Sequence, residues 1–236
     1  MKRKYCSAVV LAAGSGKRMN SDMKKQYMLI NDKPVLYYSL KAFQESFVDE
    51  IILVVSPDDI SYCREEIVRK YGFTKVSKIV TGGKERYHSV AEGLKNVSPE
   101  GFVFIHDGAR PMLTEEILER ALACVEKYNA CVVGMPVKDT VKIADVDKNI
   151  AQTPKRSLVW TVQTPQVFEY KLIYEAYEEL LLKEDILLSQ GISITDDAMV
   201  VEELTGKKVK LVEGSYENIK ITTPEDIPLA ECFLKE

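Results

Sequence analysis

Short apolar runs alternate with segments whose apolar positions recur at helical spacing. Residues 7–12 read as a buried strand that runs straight into Gly14. Across residues 32–44, Pro34 suits a first helical turn and Leu36, Leu40 and Phe43 fall on one face. Residues 51–55 form a second strand, closed by Ser56 and Pro57, and Ile60, Cys63 and Ile67 mark the next helix face. The pattern repeats: strand 75–80, helix stripe Val90, Leu94 and Val97, strand 102–105. Thr114 then stands as a cap before Ile117, Ala121, Leu122 and Val125, and residues 130–134 form another strand.

This alternation predicts an α/β fold with a three-layer, mostly parallel sheet. After Pro136 the pattern changes. Residues 138–160 mix β-branched, charged and polar positions with no helical stripe, so they read as an extended β-arm leaving the sheet. Residues 169–182 return to a helix with Leu172, Ile173, Ala176 and Leu180 inward. A shorter helix at 196–204, strands at 209–212 and 218–221, and a last helix started by Pro224 complete the chain.

The length of 236 residues and a hydrophobic share of 46% suffice for one sizeable core. The chain is therefore read as a single domain, 1–236, with 138–160 as an arm within it. A net charge of -4, with both signs interspersed, gives no handle for nucleic acid or an anionic membrane surface. Cations that bind an anion must then be concentrated locally. Cys6, Cys63, Cys124, Cys131 and Cys232 include no CxxC pair and mostly sit in apolar runs, as reduced core residues do. The apolar stretch 8–13 is too short for a membrane span and is broken at once by Gly14, which also makes it a poor signal peptide. A cytoplasmic protein is expected.

In open α/β sheets, ligands bind beyond the carboxyl ends of the strands. The polar clusters lie there. After the first strand comes Ala13-Gly14-Ser15-Gly16-Lys17-Arg18-Met19. Its glycines let the backbone approach an anion, with Lys17 and Arg18 beside them. It is not a Walker A loop, because Arg18 stands where Ser or Thr is needed, nor a dinucleotide fingerprint, because Met19 is not small. Alone it is a weak motif that an ordinary glycine turn would satisfy. Lys24, Lys25 and Gln26 follow in the same loop and could aim a second cation at the same phosphates. Gly82-Gly83 opens a helix through Ser89, where backbone groups and a hydroxyl could read a base edge; His88 reads as a helix-surface residue. Asp107, at the tip of a central strand, is placed to bind Mg²⁺ directly or through water, or to orient a ribose. Lys220, between Ile219 and Ile221 in a strand pattern, points away from both: a solvated lysine or a third cation at the site. Two histidines and no Cys/His cluster argue against structural zinc.

These residues, in this order, resemble the 2-C-methyl-D-erythritol 4-phosphate cytidylyltransferase family of the non-mevalonate isoprenoid pathway. The likeness runs nearly end to end: 10–19, Lys25-Gln26, Gly82-Gly83 with Glu85-Arg86 and Ser89-Val90, and 106–111. It continues through 136–140, 164–166, Thr195-Asp196-Asp197 and 218–222. The first stretch marks the wider nucleotidyltransferase class; the set is specific. The resemblance implies a nucleotide-diphosphate-sugar transferase-like (Rossmann-like) fold, a homodimer, and transfer of the cytidylyl group of CTP to a small sugar-alcohol phosphate. It implies that Arg18, Lys25 and Lys220 stabilise charge around the α-phosphate. Ala13, Gly14, Gly16, Gly83, Ser89 and Gly108 would surround the cytidine, and Asp107 would lie near the ribose and Mg²⁺. Arg110, Thr140, Arg156, Thr164 and Thr195 would hold the methylerythritol phosphate, with Thr140 and Arg156 coming from a partner's arm. Gly108 stands where many members have Ala and is read as leaving room for the nucleotide.

Two other readings compete. A ribitol 5-phosphate cytidylyltransferase would share the scaffold and most motifs. A non-catalytic nucleotide-binding module would share the fold, yet has no need of three cations around the phosphates.

Overall fold

The computed structural model describes residues 3–14 and 23–234. The first half runs β1 (Cys6–Ala12), a hairpin of β2 (Leu29–Ile30) and β3 (Lys33–Pro34), α1 (Val35–Glu45), β4 (Glu50–Val55), and α2 (Ile60–Tyr62) widening into a π-helix over Cys63–Arg69. Then come β5 (Val76–Thr81), α3 (Arg86–Leu94), β6 (Phe102–Asp107), α4 (Glu115–Tyr128) and β7 (Ala130–Pro136). The second half holds β8 (Ile143–Ala144), β9 (Ile150–Gln152), β10 (Trp160–Glu169), α5 (Tyr170–Ser189), α6 (Asp197–Thr205), β11 (Lys210–Glu213) and α7 (Asp226–Phe233).

Among the described residues, seven strands form one sheet in the order β11-β7-β10-β6-β1-β4-β5. Every pairing is parallel except those of β10, which runs antiparallel between β6 and β7. Side chains alternate between the two faces, as strand geometry requires. Ala8 and Val10 of β1, Leu53 of β4 and Phe104 of β6 pack with Leu36, Leu40 and Phe43 of α1 and with α4. Val9, Val54, Val103 and Ile105 face the other way, against Val90 of α3, Ile173 of α5 and Val200 of α6. Each of these side chains is fully buried, worth about 1.5–3 kcal/mol apiece for the larger ones. The same alternation positions the site. His106 continues the α1 face and packs edge-on to Phe43, 5.5 Å between ring centres. Asp107 continues the opposite face, toward α3 and α6.

The order of strands and helices follows the sequence pattern, but several bounds differ: the helix read as 169–182 runs on to Ser189, and the last helix begins at Asp226, two residues after Pro224. Pro34 caps α1 instead of sitting inside it. Thr114 holds the capping position of α4 with no capping bond from its side chain. Residues 218–221 form no strand: they cross the end of the sheet as extended loop, tied by Ile221 N–H to the Ala109 carbonyl at 2.8 Å. The largest difference is β10. Its proline and its polar Gln163, Thr164 and Gln166 conceal a strand whose residues 163–168 are buried. The register shifts between Val162 and Gln166, and the Thr164–Pro165 peptide is cis. Gln166 is tolerated there because its amide donates to Asp196 Oδ2 (2.9 Å) and accepts from Ala198 N–H (2.8 Å).

The arm is a separate two-stranded hairpin, β8 with β9, followed by a 3₁₀ turn at Arg156–Leu158. No helix among the described residues is long and apolar enough to cross a membrane.

Candidate active site

A cleft of about 380 Å³ opens beyond the carboxyl ends of β1 and β6, lined in part by Ala13, Gly14, Lys25, Gly83, Ser89, Asp107 and Lys220. Its floor is the turn after β1. Gln26, 2% exposed, donates from Nε2 to the carbonyls of Ala12 (2.7 Å) and Gly14 (3.1 Å), which fixes that backbone against the 3₁₀ turn Lys25–Tyr27. The turn sends its two lysines apart. Lys24 pairs with Asp59 at 2.6 Å, whereas Lys25 lines the cleft and donates to the Ile221 carbonyl at 2.8 Å.

The opposite wall is the Gly82-Gly83 turn and the start of α3. Ser89 Oγ accepts from Gly83 N–H at 3.1 Å, and a Cβ on Gly82 would come within 2.6 Å of both Ala13 Cβ and Ser89 Oγ. Only glycine lets the two loops approach this closely. Glu85 and His88 close a capping box, with Glu85 N–H donating to His88 Nδ1 at 3.2 Å. Nδ1 therefore accepts, and Nε2–H is directed at Glu184 Oε2, 3.1 Å away on α5.

Asp107 is the electrostatic centre. Its Oδ2 accepts from Lys220 Nζ at 2.7 Å, its Oδ1 from Arg86 Nε at 3.3 Å, and Arg110 Nε lies 4.0 Å away. Burial alone would raise its pKa, but Arg86, Lys220 and Arg110 outweigh it and hold the carboxyl well below the usual carboxylate range. Arg86 reaches further back. Its Nη1 and Nη2 each donate at 2.8 Å to Asp197, which is fully buried and also accepts from Tyr177 O–H at 2.6 Å. Removing Arg86 alone would strip this buried carboxylate of its cation, a loss of about 3–5 kcal/mol for such pairs.

Behind Asp107 the hydrogen bonds form a chain of defined direction. Asp107 N–H donates to Thr164 Oγ1 (3.1 Å), Thr164 O–H donates to His106 Nδ1 (3.0 Å), and His106 Nε2–H donates to the Arg110 carbonyl (3.3 Å). Burial pushes His106 down to about 4, so it is neutral at pH 7.

The structure thus gathers Ala13, Gly14, Lys25, Gly83, Ser89, Asp107 and Lys220 around one cleft, with Arg110 adjoining and its Nη1 bonded to the Asn218 carbonyl at 2.8 Å. Gly16 and Arg18 lie outside the described residues. Thr164 is buried beneath Asp107. A Cβ on Gly108 would enter the core, not the cleft, meeting Leu36 Cδ1 at 2.8 Å and the Leu11 carbonyl oxygen at 3.0 Å, so the space kept there serves packing. Thr195 is exposed just before α6, its hydroxyl on Met199 Sδ at 3.7 Å. Thr140 and Arg156 are exposed on the arm, where Arg156 donates to the Lys138 carbonyl at 3.2 Å. Arg86, Gln26 and Asp197 had no role assigned from sequence. Each lies in a recognised motif; Gln26 bonds the nearby turn after β1, whereas Arg86 and Asp197 are 111 positions apart and no linear spacing links them.

Among the described residues, no three His, Cys, Asp or Glu side chains gather as a metal cage. Both Asp107 oxygens already accept from cations. Asp107 is the carboxylate at this cleft that a divalent ion would meet, and a nucleotide's phosphates would have to supply the rest of its oxygen ligands.

Known proteins resemble this chain along nearly its whole length. The family described as "IspD: 2-C-methyl-D-erythritol 4-phosphate cytidylyltransferase" matches residues 6–236. A 2-C-methyl-D-erythritol 4-phosphate cytidylyltransferase from Lachnoclostridium phytofermentans is 53% identical over 230 residues, covering 98% of this chain and 96% of that protein. One from Caldanaerobacter subterraneus is 49% identical over 232 residues, covering 98% and 99%. The crystal structure of 4-diphosphocytidyl-2C-methyl-D-erythritol synthase from Anaerococcus prevotii superposes with a TM-score of 0.84 at 38% identity, covering 98% of this chain and 96% of that one.

Proposed function

This chain belongs to the 2-C-methyl-D-erythritol 4-phosphate cytidylyltransferase family, and from that premise we propose how its cleft carries out the reaction. The enzyme is a nucleotidyltransferase of isoprenoid precursor synthesis. It transfers the cytidylyl group of CTP to 2-C-methyl-D-erythritol 4-phosphate, giving 4-diphosphocytidyl-2-C-methyl-D-erythritol and pyrophosphate.

The observation that carries the mechanism is the meeting of Lys25 and Lys220, from opposite ends of the chain, at one cleft with Asp107 and the Gly14 turn. Cytidine lies over Ala13, Gly14, Gly83 and Ser89, whose backbone groups read the base edge. A phosphate oxygen of the acceptor attacks the α-phosphorus. The new P–O bond forms as the bond to the bridging oxygen breaks, and that electron pair leaves with pyrophosphate. Negative charge accumulates on the α-phosphate oxygens in between, and fixed cations there lower the barrier without any covalent enzyme intermediate. Lys25 and Lys220 fill this role, and the family resemblance assigns Arg18 to it as well. A bound Mg²⁺ would supply charge neutralisation to the triphosphate, and Asp107 is the residue that would hold it; the same carboxylate keeps Lys220 at the cleft. Arg110 and Thr195 bind the acceptor, with Thr164 holding the backbone beneath it.

The second part of the reading is a homodimer in which each arm brings Thr140 and Arg156 to the other chain's cleft. What supports it is the arm's exposed apolar side chains: Val146 is 97% exposed, Leu158 76% and Ile150 64%. Such a surface needs a partner. The five free thiols support a reducing, cytoplasmic setting.

Pyrophosphate release tests the whole reading. Turnover is expected with CTP and methylerythritol phosphate, and far less with UTP, whose base reverses the hydrogen-bond pattern. Turnover with ribitol 5-phosphate alone would reassign the acceptor. Binding of CTP with no turnover of any acceptor would reduce the protein to a nucleotide-binding module.

A further inference from the structure

Asp197 does not line the cleft, yet it holds the Arg86 guanidinium that donates to Asp107. It is the first residue of α6 and is fully buried. A buried carboxylate must be satisfied, and this one accepts two N–H bonds from Arg86 and one O–H bond from Tyr177. The guanidinium is planar, so fixing Nη1 and Nη2 fixes the direction of Nε. Nε–H then points at Asp107 Oδ1 alone and leaves Oδ2 to Lys220. The four groups alternate in sign: Asp197, Arg86, Asp107, Lys220.

We propose that Asp197 and Tyr177 are positioning residues for cytidylyl transfer, which keep the Arg86 fork turned away from Asp107 so that Lys220 retains Oδ2. This rests on the transferase reading above, and it assigns a task to residues outside the cleft. An arginine fork released from Asp197 would take both oxygens of Asp107, because paired N–H bonds to one carboxylate are its strongest arrangement. Lys220 would then lose its anchor and stand away from the reacting phosphate. Nucleotide contacts at Ala13, Gly14, Gly83 and Ser89 would be left in place. The signature is therefore a loss in kcat with little change in CTP affinity, and it must operate through Lys220.

The test is a double-mutant cycle of Asp197→Asn with Lys220→Ala, read as ratios to wild type. Asp197→Asn is expected to lower kcat by about tenfold or more while the Kd for CTP stays within about threefold. The double variant should be no slower than Lys220→Ala alone. Losses that multiply, or an unchanged kcat, overturn the proposal, because a merely structural role would act independently of Lys220. If Asp197→Asn does not fold, Tyr177→Phe removes only the hydroxyl. A severalfold drop in kcat, again absent in the Lys220→Ala background, is expected, and wild-type kcat overturns the proposal. A crystal structure of Asp197→Asn, or of Tyr177→Phe in its place, separates this inference from the function itself. Asp197→Asn should show the Arg86 fork on Asp107 with Lys220 displaced, and Tyr177→Phe a fork shifted toward Asp107. An Arg86–Asp107–Lys220 geometry unchanged from wild type would sink the proposal, whatever the enzyme turns over. Wild type inert with CTP and methylerythritol phosphate would instead sink the function and leave this structural test standing.

Discussion

Lys220 Nζ donates to Oδ2 of Asp107 at 2.7 Å, joining the loop before α7 to the tip of β6 across the mouth of the cleft. The sequence separation is 113 positions. Lys25 reaches the same mouth and bonds the carbonyl of Ile221, the residue next to Lys220. Two lysines thus meet on one short segment.

If both lysines act on charge that develops during attack, Lys25→Ala and Lys220→Ala should each lower kcat by about a hundredfold or more. The KM for CTP should move far less. Steady-state kinetics with both substrates separates the cases. Near-normal kcat with a raised KM would reduce the lysine to a binding contact.

Gln26 should matter for both stability and nucleotide binding. Its amide is buried against two backbone carbonyls. In Gln26→Ala those acceptors lose their donor, which costs about 1–3 kcal/mol. Gln26→Glu should be worse, since a carboxylate would face two carbonyl oxygens. Denaturant melts should show both losses, and CTP titration should show weaker binding as the Gly14 turn loosens. A Gln26→Ala protein that melts like wild type would mean the turn holds itself.

Much of this architecture is legible in the residue pattern because the sheet is buried on both faces. Residues 7–12 and 51–55 are apolar runs, and the intervening stripes at Leu36, Leu40 and Phe43 have helical spacing. β10 is not legible, because its inward polar side chains are satisfied by residues remote in sequence. Asn218, for example, donates to the Gln163 side chain at 3.2 Å and to the Thr164 carbonyl at 3.0 Å. For the same reason Lys25, Asp107 and Lys220 are found one at a time by motif, whereas the Asp197–Arg86–Asp107 connection needs three dimensions. The arm is recognisable by its lack of a stripe, but nothing in one chain's pattern says what its apolar side chains cover.

Acid should weaken the fold through His106 before it reaches the carboxylates. The folded imidazole titrates at about 4 against 6.5 for the ordinary group. Between these values the unfolded chain holds a proton that the folded chain does not, so stability falls as pH falls. The contribution is complete above 6.5 and is lost progressively toward 4. The decline should be about 2 kcal/mol between pH 7 and pH 5. Asp49 and Asp107, both lowered from 3.8, add their losses only in more acid solution. Denaturant melts at pH 7 and pH 5 measure the slope, and His106→Gln should flatten it even if its stability at pH 7 is lower. An unchanged slope in that variant would place the titrating group elsewhere.

The arm supplies the most demanding test of the dimer. β8 and β9 form a hairpin apart from the main sheet, and an isolated hairpin is marginal in water. In a two-fold dimer each arm would cross to the other chain, and every active site would be built from two subunits. Arg156 can then clamp the acceptor phosphate through paired hydrogen bonds. Lys25→Ala and Arg156→Ala should each be nearly inactive alone, because every site in either homodimer carries a defect. When the two are refolded together, a mixed dimer holds one site with both defects and one with neither. Random mixing makes half of the dimers mixed, so roughly a quarter of wild-type activity should return. Native mass spectrometry confirms the mixed species. Mixed dimers without recovered activity would mean that each arm serves its own subunit, and the shared site would have to be abandoned.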